Sequence, residues 1–277
     1  YPQECNTLLN ENAAIPHVFP AGTVTFPEFF ADHGYQTATI GKWHTPKHPT
    51  WSQYLDAGHT KILNLDCAEY CSMGPAYDEA RYHVVKRPGI HRIIIGGTYP
   101  IFEGNPSRRH TDTAIEFLRT RDRDKPFLLR VSHNWPHTPV LTPPPFDRLY
   151  RADEIPILPF DRKAAEGRSQ YDLGCSSIAC VASWPDAAYR QAWTDYMGLV
   201  GYVDYEVGRL LAGLKALGLE DSTLTVFSSD HGRGLGELGK LAKHCFDDPI
   251  WRVPFIWHWP GHIPRGEVRD DLCELVD

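Results

Sequence analysis

Three short segments concentrate ionisable side chains in this sequence. They are Gly41-Lys42-Trp43-His44, His133-Asn134-Trp135-Pro136-His137 and Ser229-Asp230-His231-Gly232, with Lys243 in the loop beyond the last. Between them they supply a carboxylate beside an imidazole (Asp230, His231), two further imidazoles (His44, His137) and two ammonium groups (Lys42, Lys243). Asp230 is a hard oxygen ligand for a divalent cation. Cations plus a metal suit an anionic ester whose charge must be held while a bond to oxygen breaks. A lone loop histidine or lysine is ordinarily just a solvated side chain. Here each group follows a predicted strand, and equivalent strand ends of one sheet converge in space. The set reads as a site for sulfate or phosphate.

Two other motifs fail on their chemistry. His133 and His137 have the four-residue spacing of a metalloprotease helix, but Asn134 stands where the glutamate should be and Pro136 would break the helix. The run from Gly234 to Lys240 resembles a P-loop, yet Leu241 follows the lysine instead of Ser or Thr.

The elements that must position these residues follow from periodicity and punctuation. Thr25-Phe26-Pro27-Glu28 has the form of a capping box, predicting a short helix to about His33 that stops at Gly34. Residues 35–40 then read as a strand, and 45–110 as long loops rich in Pro, Gly, His and aromatics. From Thr111 a helical pattern (Ala114, Phe117, Leu118) leads into a strand over 127–132. Residues 188–217 carry Met197, Val200, Val203, Val207, Leu210, Leu211 and Leu214 at helical spacing, and 224–228 and 253–259 read as buried strands. This alternation predicts an α/β class with a mostly parallel central sheet, helices on both faces and ligands beyond the carboxyl ends of the strands.

Composition limits the partners. The 277 residues are 42% hydrophobic and 23% charged, fitting one large α/β domain. A net charge of -7 gives no overall basic field for nucleic acid or an anionic membrane, so an anionic substrate must meet a local cluster of cations. The apolar runs are too short and broken for a membrane span, and Tyr1-Pro2-Gln3-Glu4 is not a signal peptide. Of seven cysteines only Cys67 with Cys71 and Cys175 with Cys180 lie close in sequence, and both pairs read as incidental thiols.

The residues from Gly34 to His44, together with Pro136-His137-Thr138-Pro139, Phe227-Ser228-Ser229-Asp230-His231-Gly232 and Arg252-Val253-Pro254, resemble the ordered landmarks of the sulfatase family within the alkaline-phosphatase superfamily. With Gly236-Glu237 and Lys243, the pattern looks closest to the iduronate-sulfatase and choline-sulfatase-like branches. The resemblance implies a sulfuric ester hydrolase in which Lys42 and His44 meet the sulfate and leaving-group oxygens, and His137 and Lys243 hold the sulfate. Asp230 and His231 would ligate calcium, with manganese or magnesium open because imidazole is an unusual calcium ligand. Either His44 or His137 would protonate the leaving alcohol. Trp43 would pack, and Arg252 would hold a buried carboxylate such as Asp247 or Asp248.

The same resemblance implies a formylglycine nucleophile made from Cys or Ser in a Cys/Ser-x-Pro-x-Arg motif, which residues 1–277 do not contain ahead of Gly41-Lys42. The motif, its arginine and two further metal-binding aspartates are expected upstream of Tyr1. The segment before a small C-terminal subdomain is expected at Glu274-Leu275-Val276-Asp277. Residues 1–277 are thus expected to be a partial catalytic domain, inactive alone. Gly104-Asn105-Pro106-Ser107-Arg108 imitates the motif with glycine in the nucleophile position, a coincidence. The substrate would be a small-molecule or carbohydrate sulfate ester, with residues 45–110 and 160–185 as specificity loops. A phosphate or phosphonate ester hydrolase, or a non-catalytic anion-binding homologue, are the rival readings.

Overall fold

A computed structural model describes residues 24–42, 83–87, 90–99, 102–155, 185–235, 241–243 and 247–274, with Gly22 and Gly167. His44, Trp43, Gly236-Glu237, both close cysteine pairs and most of the two expected specificity loops lie outside the described residues.

Helix α1 (Phe26–Asp32) starts as its capping box predicts: the Thr25 backbone N–H and hydroxyl both donate to Glu28 Oε2, at 2.8 and 2.9 Å. Gly34, at φ 85°, turns the chain into β1 (Gln36–Gly41). Thr37, Ala38, Thr39 and Ile40 are all buried, as expected of a strand covered on both faces. β1 pairs in parallel with β4 (Phe127–Ser132), Gln36 opposite Phe127 and Gly41 opposite Ser132. The long connection between them carries an antiparallel hairpin, β2 (His83–Arg87) with β3 (Ile90–Gly96), and helix α2 (Pro106–Thr120).

Helix α2 begins five residues before the sequence pattern suggests. Asn105 caps it, its side chain accepting from Arg108 N at 3.0 Å, and Pro106 fills the first turn. That capping accounts for the residues that imitate a nucleophile motif. Phe117 and Leu118 of α2 pack with Ala38 of β1 and with Leu214 and Leu219, and Ala114 is buried on the same helix.

The long helix α3 (Asp186–Ala216) is present, and Leu214 is buried with Leu210 and Val203 packed against the core, but the buried face is only partly the one suggested by the valines and leucines. Val200 and Leu211 are exposed, whereas Leu199, Tyr202 and Glu206 are sealed. Gly198 and Gly201 set this rotation, since a Cβ on Gly198 would collide with the Phe146 carbonyl and one on Gly201 would meet Leu149. The buried carboxylate of Glu206 accepts from Tyr202 Oη at 2.9 Å and Arg209 Nη1 at 2.8 Å, and Asn105 Nδ2 donates to Tyr202 Oη at 2.7 Å. A polar knot therefore ties α3 to the start of α2, every member partnered.

β5 (Thr225–Ser228) leads through the hairpin of β6 (Gly234–Leu235) and β7 (Leu241–Ala242), then the short helix α4 (Asp248–Trp251), to β8 (Phe255–His258). The expectation of parallel pairing fails here: β5 and β8 run antiparallel, Thr225 opposite His258 and Ser228 opposite Phe255. The connection carries the β6–β7 hairpin and, among the described residues, only the four-residue helix α4, not the long crossover helix that usually returns a chain to a parallel position. The fold is α/β, and among the described residues β1–β4 is the parallel strand pair. No helix among them is long and apolar enough to cross a membrane.

Gly41 ends β1 at φ 96°, and a Cβ there would collide with the Ser132 carbonyl. Gly41→Ala is expected to lose about 2–5 kcal/mol from left-handed backbone strain and overpacking, read as a lower urea midpoint of the full-length protein. Gly34→Ala, which has the strain but open space around it, should lose less.

Candidate anion-binding site

Lys42 leaves the carboxyl end of β1 with its N–H bonded to the Ser132 carbonyl at 2.8 Å, so the register of β1 on β4 fixes its position. Its Nζ donates to Asp230 Oδ2 at 3.2 Å, across from the end of β5. From β4, Arg130 Nη1 donates to the Lys42 carbonyl at 3.2 Å. The Lys42 side chain is 14% exposed and that of Asp230 64%, so solvent screens the pair and limits its worth to about 1 kcal/mol. It orients groups more than it stabilises the fold. Burial alone would raise the Asp230 pKa, but Lys42, His231 and Lys243 outweigh it and hold the carboxyl below its ordinary value.

The hydrogen bonds of His231 define its tautomer. Nδ1 lies 2.7 Å from the Gly232 carbonyl, which can only accept, so Nδ1 carries the proton. Nε2 is then a bare lone pair, accepting from Lys243 Nζ at 2.9 Å and lying 3.6 Å from Asp230 Oδ2. Burial lowers the His231 pKa, aided by Lys243 and Lys42, and keeps the ring neutral. Gly232 N donates to the Ile250 carbonyl at 2.7 Å, and a Cβ on Gly232 would strike Pro249, so this loop is pressed onto α4. The indole N–H of Trp193 on α3 donates to the Leu235 carbonyl at 2.9 Å and holds the other side.

His137 sits beyond β4, between the cis peptide bonds Trp135–Pro136 and Thr138–Pro139. Its Nδ1 donates to the Thr138 carbonyl at 2.6 Å. Burial pushes its pKa down to about 4, with Lys243, Lys42 and Arg233 adding to the effect against the Thr138 carbonyl. This imidazole is neutral at pH 7 with Nε2 unprotonated. His133 does not join the group: burial also brings it to about 4, its ring faces His110 at 6.0 Å, and the charge that acts on it is the buried Glu206.

The structure therefore brings Lys42, Asp230, His231 and Lys243 into contact and puts His137 within electrostatic reach of both lysines. Arg252 reaches Asp248 at 3.9 Å, but both side chains are 83% exposed, so the expected buried carboxylate is a surface one. Two further cations lie in this region, Arg130 inside the mainly hydrophobic run of β4 and Arg233 directly after Asp230-His231-Gly232, and neither stands out in the sequence as a member of a strand-end cluster.

The donor atoms can be tested against a divalent cation. Two calcium ligands at 2.3–2.6 Å and roughly right angles lie about 3.3–3.7 Å apart, and Asp230 Oδ2 and His231 Nε2 are 3.6 Å apart, each carrying an available lone pair. Lys42 and Lys243 now place ammonium groups on those two atoms. The pair fits as part of a metal site. Among the described residues there is no cluster of three or more His, Cys, Asp or Glu, so further ligands would have to come from elsewhere.

Comparison with known proteins gives the family. Human iduronate 2-sulfatase is 29% identical over 278 residues, covering 91% of this chain and 48% of that protein. An arylsulfatase of Clostridium perfringens is 30% identical over 177 residues, 62% of this chain and 36% of its own length. The chain thus spans about half the length, or less, of these curated relatives. Its fold matches a protein solved with its substrate D-glucosamine-2-N,6-O-disulfate at a TM-score of 0.63, 22% identity, and coverage of 94% and 59% of the two chains. It also matches a phosphonate monoester hydrolase of Agrobacterium radiobacter at 0.64, 19% identity, and coverage of 89% and 54%. The sulfatase family profile matches residues 2–277. This chain belongs to the sulfatase family.

Proposed function

We propose that the protein containing this chain hydrolyses sulfate esters, with a sulfated sugar as the substrate class. The observation that carries this reading is the meeting of two ammonium groups, Lys42 and Lys243, with the neutral imidazole of His231 and the carboxylate of Asp230. Residues 1–277 would form part of one catalytic domain, β1 and β4 belonging to a larger, mostly parallel sheet with helices on both faces.

Lys42 and Lys243 would each release their present partner and hold sulfate oxygens, fixing the ester and offsetting charge that builds on sulfate as the bond to oxygen breaks. Asp230 and His231 would hold a divalent cation, calcium before manganese or magnesium, supplying further positive charge at the sulfate. The nucleophilic oxygen would come from a formylglycine upstream of Tyr1. His137 is neutral with Nε2 bare, so it must first take a proton before it can donate one to the leaving alcohol. His44 would share or take that acid role.

The test is relative rate. The full-length protein should hydrolyse 4-nitrophenyl sulfate with a higher kcat/KM than 4-nitrophenyl phosphate or a phenylphosphonate monoester, and Lys42→Ala should lower the sulfate value at least ~100-fold. Faster turnover of the phosphonate would favour the superfamily alternative. Absence of turnover with intact sulfate binding would indicate an anion-binding protein.

A pH effect follows from His137. Its pKa of about 4 in the free site should rise when an oxyanion binds beside it, so bound protein holds more protons than free protein between those two values. Sulfate affinity should therefore strengthen as pH falls from 7 towards 5, by at most about tenfold per unit. Calorimetry in buffers of different ionisation enthalpy should detect proton uptake on sulfate binding, reduced in His137→Asn.

A further inference from the structure

Arg233 is a cation in this region with no role in the chemistry above. It follows His231 by two residues and immediately precedes β6. The β6–β7 ladder pairs Gly234 with Ala242 and Leu235 with Leu241, so its open end brings Arg233 and Lys243 to facing positions. Like charges placed across a strand pair repel, and nothing among the described residues neutralises this arginine. Its Nε is sealed from solvent with no hydrogen-bond partner. The ring of Tyr196 on α3 lies 5.9 Å from the guanidinium carbon and covers one face. A shielded guanidinium without an anion is costly unless one arrives, and its planar N–H edge suits a carboxylate or sulfate.

The position of Arg233 separates it from the reacting group. The strongest charges acting on Asp230 are Lys42, His231 and Lys243, the groups read above as the sulfate and metal site. Arg233 is felt instead at His137. It faces Lys243 across the β6–β7 hairpin and, with Lys243 and Lys42, acts on His137.

We infer that Arg233 is a specificity-determining residue that binds a second anionic group, a carboxylate or second sulfate, on the sugar whose sulfate ester is cleaved. This rests on the sulfatase reading. Trp193 and Tyr196, three residues apart on α3, serve it together: the first ties down Leu235 and the second backs the guanidinium, so the arginine is held ready for an anion.

The experiment compares a singly charged and a doubly charged ester on the full-length wild type, Arg233→Gln and Arg233→Lys. The probes are 4-nitrophenyl sulfate and a disulfated glucosamine. Arg233→Gln should lower the ratio of kcat/KM for the disulfated sugar to that for the aryl sulfate by about tenfold or more. The change should fall mainly in KM, and Arg233→Lys should recover part of it. A ratio within twofold of wild type, with both substrates falling together, would overturn the inference and assign Arg233 to the reacting sulfate or to the fold. Wild type that cleaves neither ester would instead contradict the sulfatase reading, and this inference would go with it.

Discussion

Everything at this site depends on the close approach of Gly41 to Ser132. With no side chain on Gly41 and its φ at 96°, the ends of two parallel strands meet, and the Lys42 N–H closes onto the Ser132 carbonyl. That one contact sets where the Lys42 ammonium can reach and where the chain leaves β4 towards His137. The ion pair to Asp230 then spans to the end of β5, but with an exposed carboxylate it contributes too little to hold the strands there. Packing holds β1 and the segment after β4: Ala38, Phe117, Leu118, Leu214 and Leu219 form one apolar cluster, and Tyr99, Trp135, Val140, Leu141, Leu199 and Tyr202 another.

The two clusters divide the work. The first clamps β1 against α2 and the end of α3, fixing the scaffold. The second carries Trp135, two residues before His137, against Tyr202, whose hydroxyl joins the Asn105–Glu206 knot. Burial pushes the Tyr202 phenol far above its ordinary pKa, so it remains a neutral hydroxyl at any working pH. Helix α3 thus supports the histidine segment from its middle and the Asp230 loop from its amino-terminal half through Trp193. The side chains of the candidate site come from loops, and their precision comes from one rigid helix and one strand pair.

The sequence made the grouping of charged side chains more legible than the layout. Lys42, His137, Asp230, His231 and Lys243 were found because charged groups after apolar strands are conspicuous, and they do gather at one place. The capping box at Thr25 was readable because all its determinants are local. The face of α3 was not, because Gly198 and Gly201 choose it through contacts with residues 142–149, and apolar periodicity pointed to Val200 and Leu211 instead. The antiparallel pairing of β5 with β8 was hidden for a similar reason. Strand runs were visible, but their direction depends on whether the connection builds a crossover helix, and the residues after β5 fold into a hairpin and a single helical turn instead. The early start of α2 at Asn105-Pro106 was local and could have been read from its cap.

The central claim is that the ends of β1 and β4 and the loop after β5 form a single site for an oxyanion. Inorganic sulfate titrated into the full-length protein and into Lys42→Met, His137→Asn and Lys243→Met, one variant for each segment, tests it most directly. The account predicts that every variant weakens sulfate binding, with about a tenfold loss for each lysine. Weakening by one substitution alone, with the other two binding sulfate as the wild type does, would contradict a shared site.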